Sequence, residues 1–517
     1  MPVAYKDLLD PDYVFRALLG YGMFSEKLPP CFSSQGLLNY ASSITTDKPS
    51  KNYAYIEYAS TRNTNIPRML AIPHPEPYLF LCKFIQKHWS KINNHIGEPQ
   101  VKFNYCHVRR IAQKKHIFEM NYSGDDKWFQ EELALDYSIG CKYIVSADIS
   151  TFFPSVYVHS IPWAINGKEW AKIHQCNISK KNNEIGRDCR RNNKQPCIYD
   201  LDSLWGNSLD YLSRAFKDGE TNGLLIGPHT SNIISEIILS NVDRELQNCG
   251  FSKVIRHIDD YEYYAKDEKD ANDFLKKLTQ LLKHFELSLN AKKTKIIPYQ
   301  DYSSSNWITK LNQFSFPKHE IIGFTTINSY IDYSLVISKD MSDFSPLNYA
   351  IKVISKKKLS KRAKRLYVKK ICQLVLFHPY IIPLVEEYVF KFADGDFSFL
   401  KTFLPISIDL ALEKNITDLI SFNLYFANKY DIELNGIDWN MVTELYDCIS
   451  LIIAYKYCCK KQISTKIFKE KAESLRKLPE REQEKFWLFL YEISPKSKLP
   501  VFLKQLKEAN ITFTKGI

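Results

Sequence analysis

Two β-prone runs, Val254-Ile-Arg-His-Ile258 and Tyr261-Glu-Tyr-Tyr-Ala265, flank the pair Asp259-Asp260. Runs rich in Val, Ile and Tyr around two residues predict a hairpin with both carboxylates at its tip. An Asp pair at a turn means little alone, because Asp favours turns for local reasons. A second short β-rich run, Tyr143-Ile-Val-Ser-Ala-Asp148, also ends in a carboxylate. Two divalent cations about 4 Å apart need several hard oxygen ligands on rigid elements, and strand ends and tight turns of one sheet can converge in that way. Asp148, Asp259 and Asp260 are therefore the candidate metal ligands and catalytic residues.

Around these runs the text alternates. Pro-marked turns such as Ile72-Pro73-His74-Pro75 punctuate the first 129 residues, since a residue before Pro is biased toward extended geometry. After Gly223-Leu-Leu-Ile-Gly-Pro-His-Thr-Ser231, the residues Ile233/Ile234, Ile237/Ile238, Val242 and Leu246 share one helical face, with Thr230 or Ser231 as N-cap. Phe274, Leu278, Leu281/Leu282 and Phe285 mark another helix, and Ile321-Ile322-Gly323-Phe324 reads as a further strand. From about residue 335 the pattern becomes helix after helix, including 346–371, 439–459 and 482–493. Helical hairpins of the HEAT kind fit this text, without a clean period. The expected class is α+β, with a mixed region at 1–335, a polar insertion at about 166–215 and an all-helical domain at 336–517.

Composition narrows the function classes. Apolar residues make up 45% and charged residues 25%, which excludes a disordered or collagen-like chain. The 70 Lys+Arg against 58 Asp+Glu give a formal +12, a surplus that favours polyanionic partners. Lys352 to Lys370 concentrates it, packing Lys356-Lys-Lys358, Lys361-Arg362, Lys364-Arg365 and Lys369-Lys370 among Leu359, Leu366 and Val368. Such a stretch suits a nucleic-acid backbone or a solvated helix face. The most apolar stretch, Gln373 to Phe390, is cut by His378, Pro379, Pro383 and Glu386/Glu387, so no membrane span is expected. Asp7, Asp10 and Asp12 do not suit a signal peptide, and the 12 cysteines contain no Cys-x-x-Cys pair. Both features point to a reduced, cytoplasmic setting. His174, Cys176, Cys189 and Cys197 share one polar segment and are read as either free thiols in a loop or a zinc site of unfamiliar spacing.

Six motifs, in order, resemble those of the reverse transcriptase family. Arg68-Met-Leu-Ala-Ile72-Pro73 is similar to the fingers segment whose Arg touches the triphosphate. Asp148-Ile-Ser-Thr-Phe-Phe153 resembles the first palm motif, in which the Asp and the carbonyl of the next residue, here Ile149, hold metal. Gly223 to Ser231, through Gly227, is similar to the Gly-rich loop and helix that pack on template and incoming nucleotide. Arg256-His-Ile-Asp-Asp260 resembles the aromatic-x-Asp-Asp hairpin, and Leu289-Asn-Ala-Lys-Lys293-Thr294 the Lys-Thr motif after it. Ile322-Gly323-Phe324 is like the start of the primer-grip hairpin.

Within that family the chain is most similar to the abortive-infection (Abi) and related phage-defence reverse transcriptases of bacteria. Ile72-Pro-His-Pro75, His159-Ser-Ile-Pro-Trp163 with Gly167-Lys168, and Ile226-Gly-Pro228 followed by Glu236 carry this narrower likeness. His257 departs from the usual Tyr or Phe, Leu225-Ile226 from the commoner Pro-Gln or Pro-Ile, and residues 325–345 show no thumb signature.

The resemblance implies fingers and palm at 1–335, a helical domain in place of a thumb and nuclease tail, and a DNA polymerase serving phage defence. It implies two Mg²⁺ ions, with Mn²⁺ able to replace them, on Asp148, Ile149, Asp259 and Asp260. By the same likeness, Lys293 donates a proton to pyrophosphate, Arg68 binds phosphate, Phe153 crowds a ribose 2′-OH, and Gly227 and Ser231 line the nucleotide site. Expected partners are dNTPs, a single-stranded DNA product that can be attached to the chain, RNA, and further copies of the chain as a homo-oligomer. The rival readings are an RNA-templated reverse transcriptase of the retron or group II intron kind and a non-catalytic nucleic-acid scaffold.

Overall fold

Alternation along three short runs decides the architecture around the acidic pair. The strand Tyr143–Asp148 lies antiparallel between Asp260–Ala265 and Lys295–Pro298, and Val254–His257 pairs outside Asp260–Ala265. The register sets Val145 opposite Tyr263, Ala147 opposite Tyr261 and Asp148 opposite Asp260. Because side chains alternate across a strand, Val145, Ala147, Tyr261, Tyr263 and Arg256 share one face. Ile144, Tyr264 and Ile255 share the other, which runs on to Asp148 and Asp260.

Helices cover both faces. Glu268–His284, capped by Asp267 through Asp270 N, packs on the first face, with Phe274 stacked on Tyr263 at 4.3 Å between centroids. On the second, Ile144, Ile255 and Tyr264 bury against Leu133, Ala134 and Tyr137 of the helix Asp125–Ser138. Each fully buried large apolar side chain contributes roughly 1.5–3 kcal/mol relative to exposure. The long helix His229–Asn248 is buried along most of its length among Trp89–Gly97, Ser160–Asn166 and Glu268–His284.

The computed structural model describes residues 10–44, 48–63, 66–97, 107–108, 118–119, 125–173, 204–302, 306–317, 321–341 and 344–517. The chain divides into two compact units, one of Met1–Phe24, Ser34–Tyr55 and Ala71–Tyr302, the other of Ser25–Ser33, Ile56–Leu70 and Ser303–Ile517. The second is mainly helical: Leu400–Glu413 packs on Thr417–Lys429, which packs on Cys448–Lys460, which packs on Trp487–Ile493. It also takes the strand Ile56–Ser60, bound by Tyr58 Oη to Ser421 Oγ at 2.8 Å and followed by Thr61, whose N and Oγ1 donate to Asp418. Among the described residues no helix is long and apolar enough to cross a membrane, and the described cysteines are free thiols. His174, Cys176, Cys189 and Cys197 lie outside the described residues.

Several expected elements differ from those formed. Ile321–Phe324 is no strand: Ile322 makes a single parallel bridge to Leu359, and Phe324 opens the helix Phe324–Met341. The helix expected at 346–371 is two, Ser345–Ser355 and Lys361–Val375, because Ser360 caps the second through Ala363 N. That at 439–459 breaks where Asp447 caps Cys448–Lys460 through Ile449 N and Ser450 N. That at 482–493 becomes Glu480–Glu484 and Trp487–Ile493. Thr230 and Ser231 sit inside the helix they were expected to cap, which starts one residue after Pro228. The far end of the expected polar insertion is the buried helix Trp205–Ala215, whose Trp205, Leu209 and Leu212 face the core.

Candidate active site

The carboxylates gather where the hairpin and the central strand end together. Only Ile258 and Asp259 form the turn; Asp260 is already paired with His257 and lies across from Asp148. The expectation of two acids at the tip is thus corrected: one stands on the turn and one on the strand, because Asp260 continues the ladder. The turn is tight for its residues, since Ile258 adopts φ 57°. Two-residue hairpin turns with positive φ at the first central position favour Gly there, and a β-branched residue is strained in that region.

Asp148 is buried to 7% exposure, and its neighbours are set by the segment after the helix Glu268–His284. Asn290 donates its backbone N to Asp148 O at 2.7 Å and its Nδ2 to Asp148 Oδ2 at 3.0 Å. Lys293 Nζ donates to Asp148 Oδ1 at 2.7 Å, with Lys293 N and Thr294 N folding back on Asn290 O. Ile149 N donates to Asp259 O at 3.1 Å and Ser150 N to Ser288 O at 2.9 Å, which fastens hairpin, strand end and Lys segment together.

Negative charge is in excess here. The Asp260 carboxyl is pushed up to about 7 by partial desolvation first, then by the charge of Asp259 and by its hydrogen bond to and the charge of Asp148, with Lys293 pulling the other way. A carboxylate set that resists full ionisation fits a divalent cation, because cationic charge would relieve the repulsion. Among the described residues no three Asp, Glu, His or Cys side chains form a ready-made metal cage. An open set suits Mg²⁺, which is held by one or two carboxylates together with waters and substrate phosphates.

The remaining sequence candidates fall in different settings. Phe153 lies half-buried in the short helix Phe152–Ser155 at 5.4 Å from Phe152, and Phe152 is the ring that enters the core. Phe153 O accepts from Leu224 N at 2.7 Å, which ties the first motif to the Gly-rich loop. Gly223 has φ 81°, and a Cβ there would meet Pro154 O at 2.9 Å, so the loop can approach only as glycine. Gly227 has φ 129°, and Ser231 is buried with its Oγ lacking a hydrogen-bond partner among the described residues. Arg68 is exposed at the start of the strand Arg68–Ile72 and belongs to the second unit.

Two further residues touch the acidic set or its turn, and the sequence does not mark either. Asn290 lies within the Lys-Thr motif, but nothing local marks it as a partner of Asp148. Arg256 is 1% exposed and bonded to Glu236, Asp243 and the Ile258 carbonyl; a lone Arg in a β-prone run was the only signal. Residues 76–304 match the family model described as Reverse transcriptase (RNA-dependent DNA polymerase). No curated protein matches the chain.

Proposed function

We propose, from the reverse transcriptase domain at residues 76–304, that the chain is a DNA-polymerising nucleotidyltransferase of bacterial phage defence that acts in abortive infection. In this reading it joins dNTPs without a template, starts on a tyrosine hydroxyl of its own chain, and works in the cytoplasm as a homo-oligomer. The observation that supports the chemistry is the facing pair Asp148 and Asp260 with Asp259 on the adjoining turn. The narrower defence role is supported by Ile72-Pro-His-Pro75, His159-Ser-Ile-Pro-Trp163 and the helical second unit, read as HEAT-like hairpins.

In phosphoryl transfer a protein mainly positions groups and stabilises charge. Asp148, the Ile149 carbonyl and Asp259 are the groups to hold two Mg²⁺ or Mn²⁺, with Asp260 as auxiliary ligand. The ions, when bound, lower the pKa of an attacking hydroxyl and offset triphosphate charge. Lys293 gives a proton to the departing pyrophosphate. Arg68 presents a planar fork of donors to phosphate oxygens. Phe153 fills the space of a 2′-OH, and Gly227 and Ser231 line the base and template side. A phenol suits initiation because its pKa of about 10 lies closer to ionisation than that of an alcohol.

The test is purified protein, stripped of nucleic acid, with labelled dNTPs and Mg²⁺, with and without template and primer, then a denaturing gel. Label that migrates with protein without template and shrinks on nuclease treatment is expected. Label only in free DNA, and only with template, would instead favour the conventional RNA-templated reading, which the family description also fits. A chain that binds nucleic acid without incorporating any dNTP would be a scaffold.

A further inference from the structure

The catalytic hairpin is wired to a buried cation on the opposite face of its own sheet. Arg256 pairs with Tyr261 in the ladder, so its side chain leaves the face away from Asp260 and enters the helix layer. There Nε donates to Asp243 Oδ1 and Oδ2 at 3.0 and 2.9 Å, and Nη2 to Asp243 Oδ2 at 2.7 Å. Nη1 and Nη2 reach Glu236 Oε1 and Oε2 at 3.1 and 3.0 Å. Glu236 and Asp243 are seven residues apart on His229–Asn248 and so share one helix face. Tyr261 Oη adds a bond to Asp243 Oδ1 at 3.3 Å. Exposure is 1% for Arg256, 4% for Glu236 and 3% for Asp243.

The remaining bond reaches the backbone. Arg256 Nη1 donates to Ile258 O at 2.8 Å. That carbonyl belongs to the peptide joining Ile258 to Asp259, at the one residue of the hairpin turn held at φ 57°. Fixing its oxygen fixes the peptide plane, and the plane sets the direction in which Asp259 leaves the turn. The next carbonyl, Asp259 O, is held by Ile149 N at 3.1 Å. Both peptide carbonyls flanking the Asp259 Cα are therefore pinned, one from the helix layer and one from the end of the central strand.

A buried ion set is often replaceable by apolar residues without loss of stability. Stability alone therefore does not explain it, whereas the bond to the backbone gives it a role in the turn. We propose that Arg256 is a positioning residue for the metal-binding carboxylates: anchored by Glu236 and Asp243, it holds the strained Ile258–Asp259 peptide so that Asp259 faces the same cation as Asp148. The proposal rests on the reading of Asp148 and Asp259 as metal ligands.

Two full-length variants test it. Arg256→Lys keeps the charge but loses the fork; Arg256→Met with Glu236→Gln and Asp243→Asn removes the charges together. Each is compared with wild type by cooperative melting, by Mn²⁺ binding in calorimetry, and by kcat and KM for dNTP. Folded variants are expected to bind Mn²⁺ about 10–100-fold more weakly, as when a ligand-orienting partner is lost. kcat should fall while KM for dNTP holds. Adding Ile258→Gly, which accepts the turn conformation without strain, should recover part of the Mn²⁺ affinity. Wild-type Mn²⁺ binding in a folded variant, or no recovery with Ile258→Gly, overturns the proposal. So does loss of the cooperative melt in both variants, which would make Arg256 a core brace only. Weakened Mn²⁺ binding in variants of a wild type that incorporates no dNTP would uphold the positioning role and refute the polymerase reading.

Discussion

Lys293 and Asp148 form an ion pair of 2.7 Å in which the lysine side chain is 63% exposed and the carboxylate 10%. An exposed ammonium on a buried acid is free to leave it when another cation or a phosphate arrives. Lys293→Ala is therefore expected to leave the fold intact and to lower kcat by about 100-fold, the lower range for loss of a general acid. Steady-state kinetics at saturating Mg²⁺ decide this; a change confined to KM would make Lys293 a phosphate contact alone.

Replacing Asp148 or Asp259 by Asn removes charge from a proposed hard-cation ligand while keeping its shape. Incorporation should drop by more than roughly 100-fold with the far-ultraviolet spectrum unchanged. Activity within a few-fold of wild type would refute the metal assignment.

The pH dependence follows from Asp260, whose carboxyl sits at about 7 in the folded chain against about 3.9 when unfolded. The folded state therefore binds the proton more tightly, so this stabilising contribution is present at low pH and is lost as pH rises from about 4 to 7. In chelator, the melting temperature should decline over that interval. Asp260→Asn should flatten the decline, and Mg²⁺ should raise melting more at pH 7.5 than at pH 5. A melting temperature that rises across the window in wild type would contradict the sign.

Phe153 is half-buried whereas Phe152 enters the core, so a smaller side chain at 153 is expected to leave the fold intact. Phe153→Val should admit ribonucleotides, and paired rNTP and dNTP assays read the ratio. An unchanged ratio would assign the ring to packing.

Gly223→Ala places a methyl group against Pro154 O at a φ of 81°. A loss of roughly 1–3 kcal/mol in chemical denaturation is expected, with weaker dNTP binding from a displaced loop. Wild-type stability would mean that the loop can move aside.

The acidic hairpin was legible because its signal is local: two β-rich runs, a two-residue gap, and a strand that ends in Asp148. Asn290 was not, because its bond to Asp148 spans 142 positions and depends on where one segment passes another. Arg256 was hidden for a related reason: only the register sends it to the helix face, toward acids that the sequence places on another element. The split helices were legible in principle, since Ser360 and Asp447 are ordinary capping residues inside otherwise helical text. Apolar periodicity runs through both positions and masks them. At Ile321–Phe324 four residues were too few to tell a strand from a bridge followed by a helix.

Translation order gives the strand Ile56–Ser60 an unusual wait. Tyr58 meets Ser421 across 363 positions, and at about 5–20 residues per second a ribosome takes on the order of tens of seconds to cover that distance. Ser33 N must wait longer still for Phe513 O. During the first of these intervals the strand can pair with Arg68–Ile72, but its helical partner Ser421 is not yet made. Residues 303–517 expressed alone would therefore lack Ser25–Ser33 and Ile56–Leu70, which belong to the same unit. That unit is completed only when the first-made and last-made parts of the chain meet.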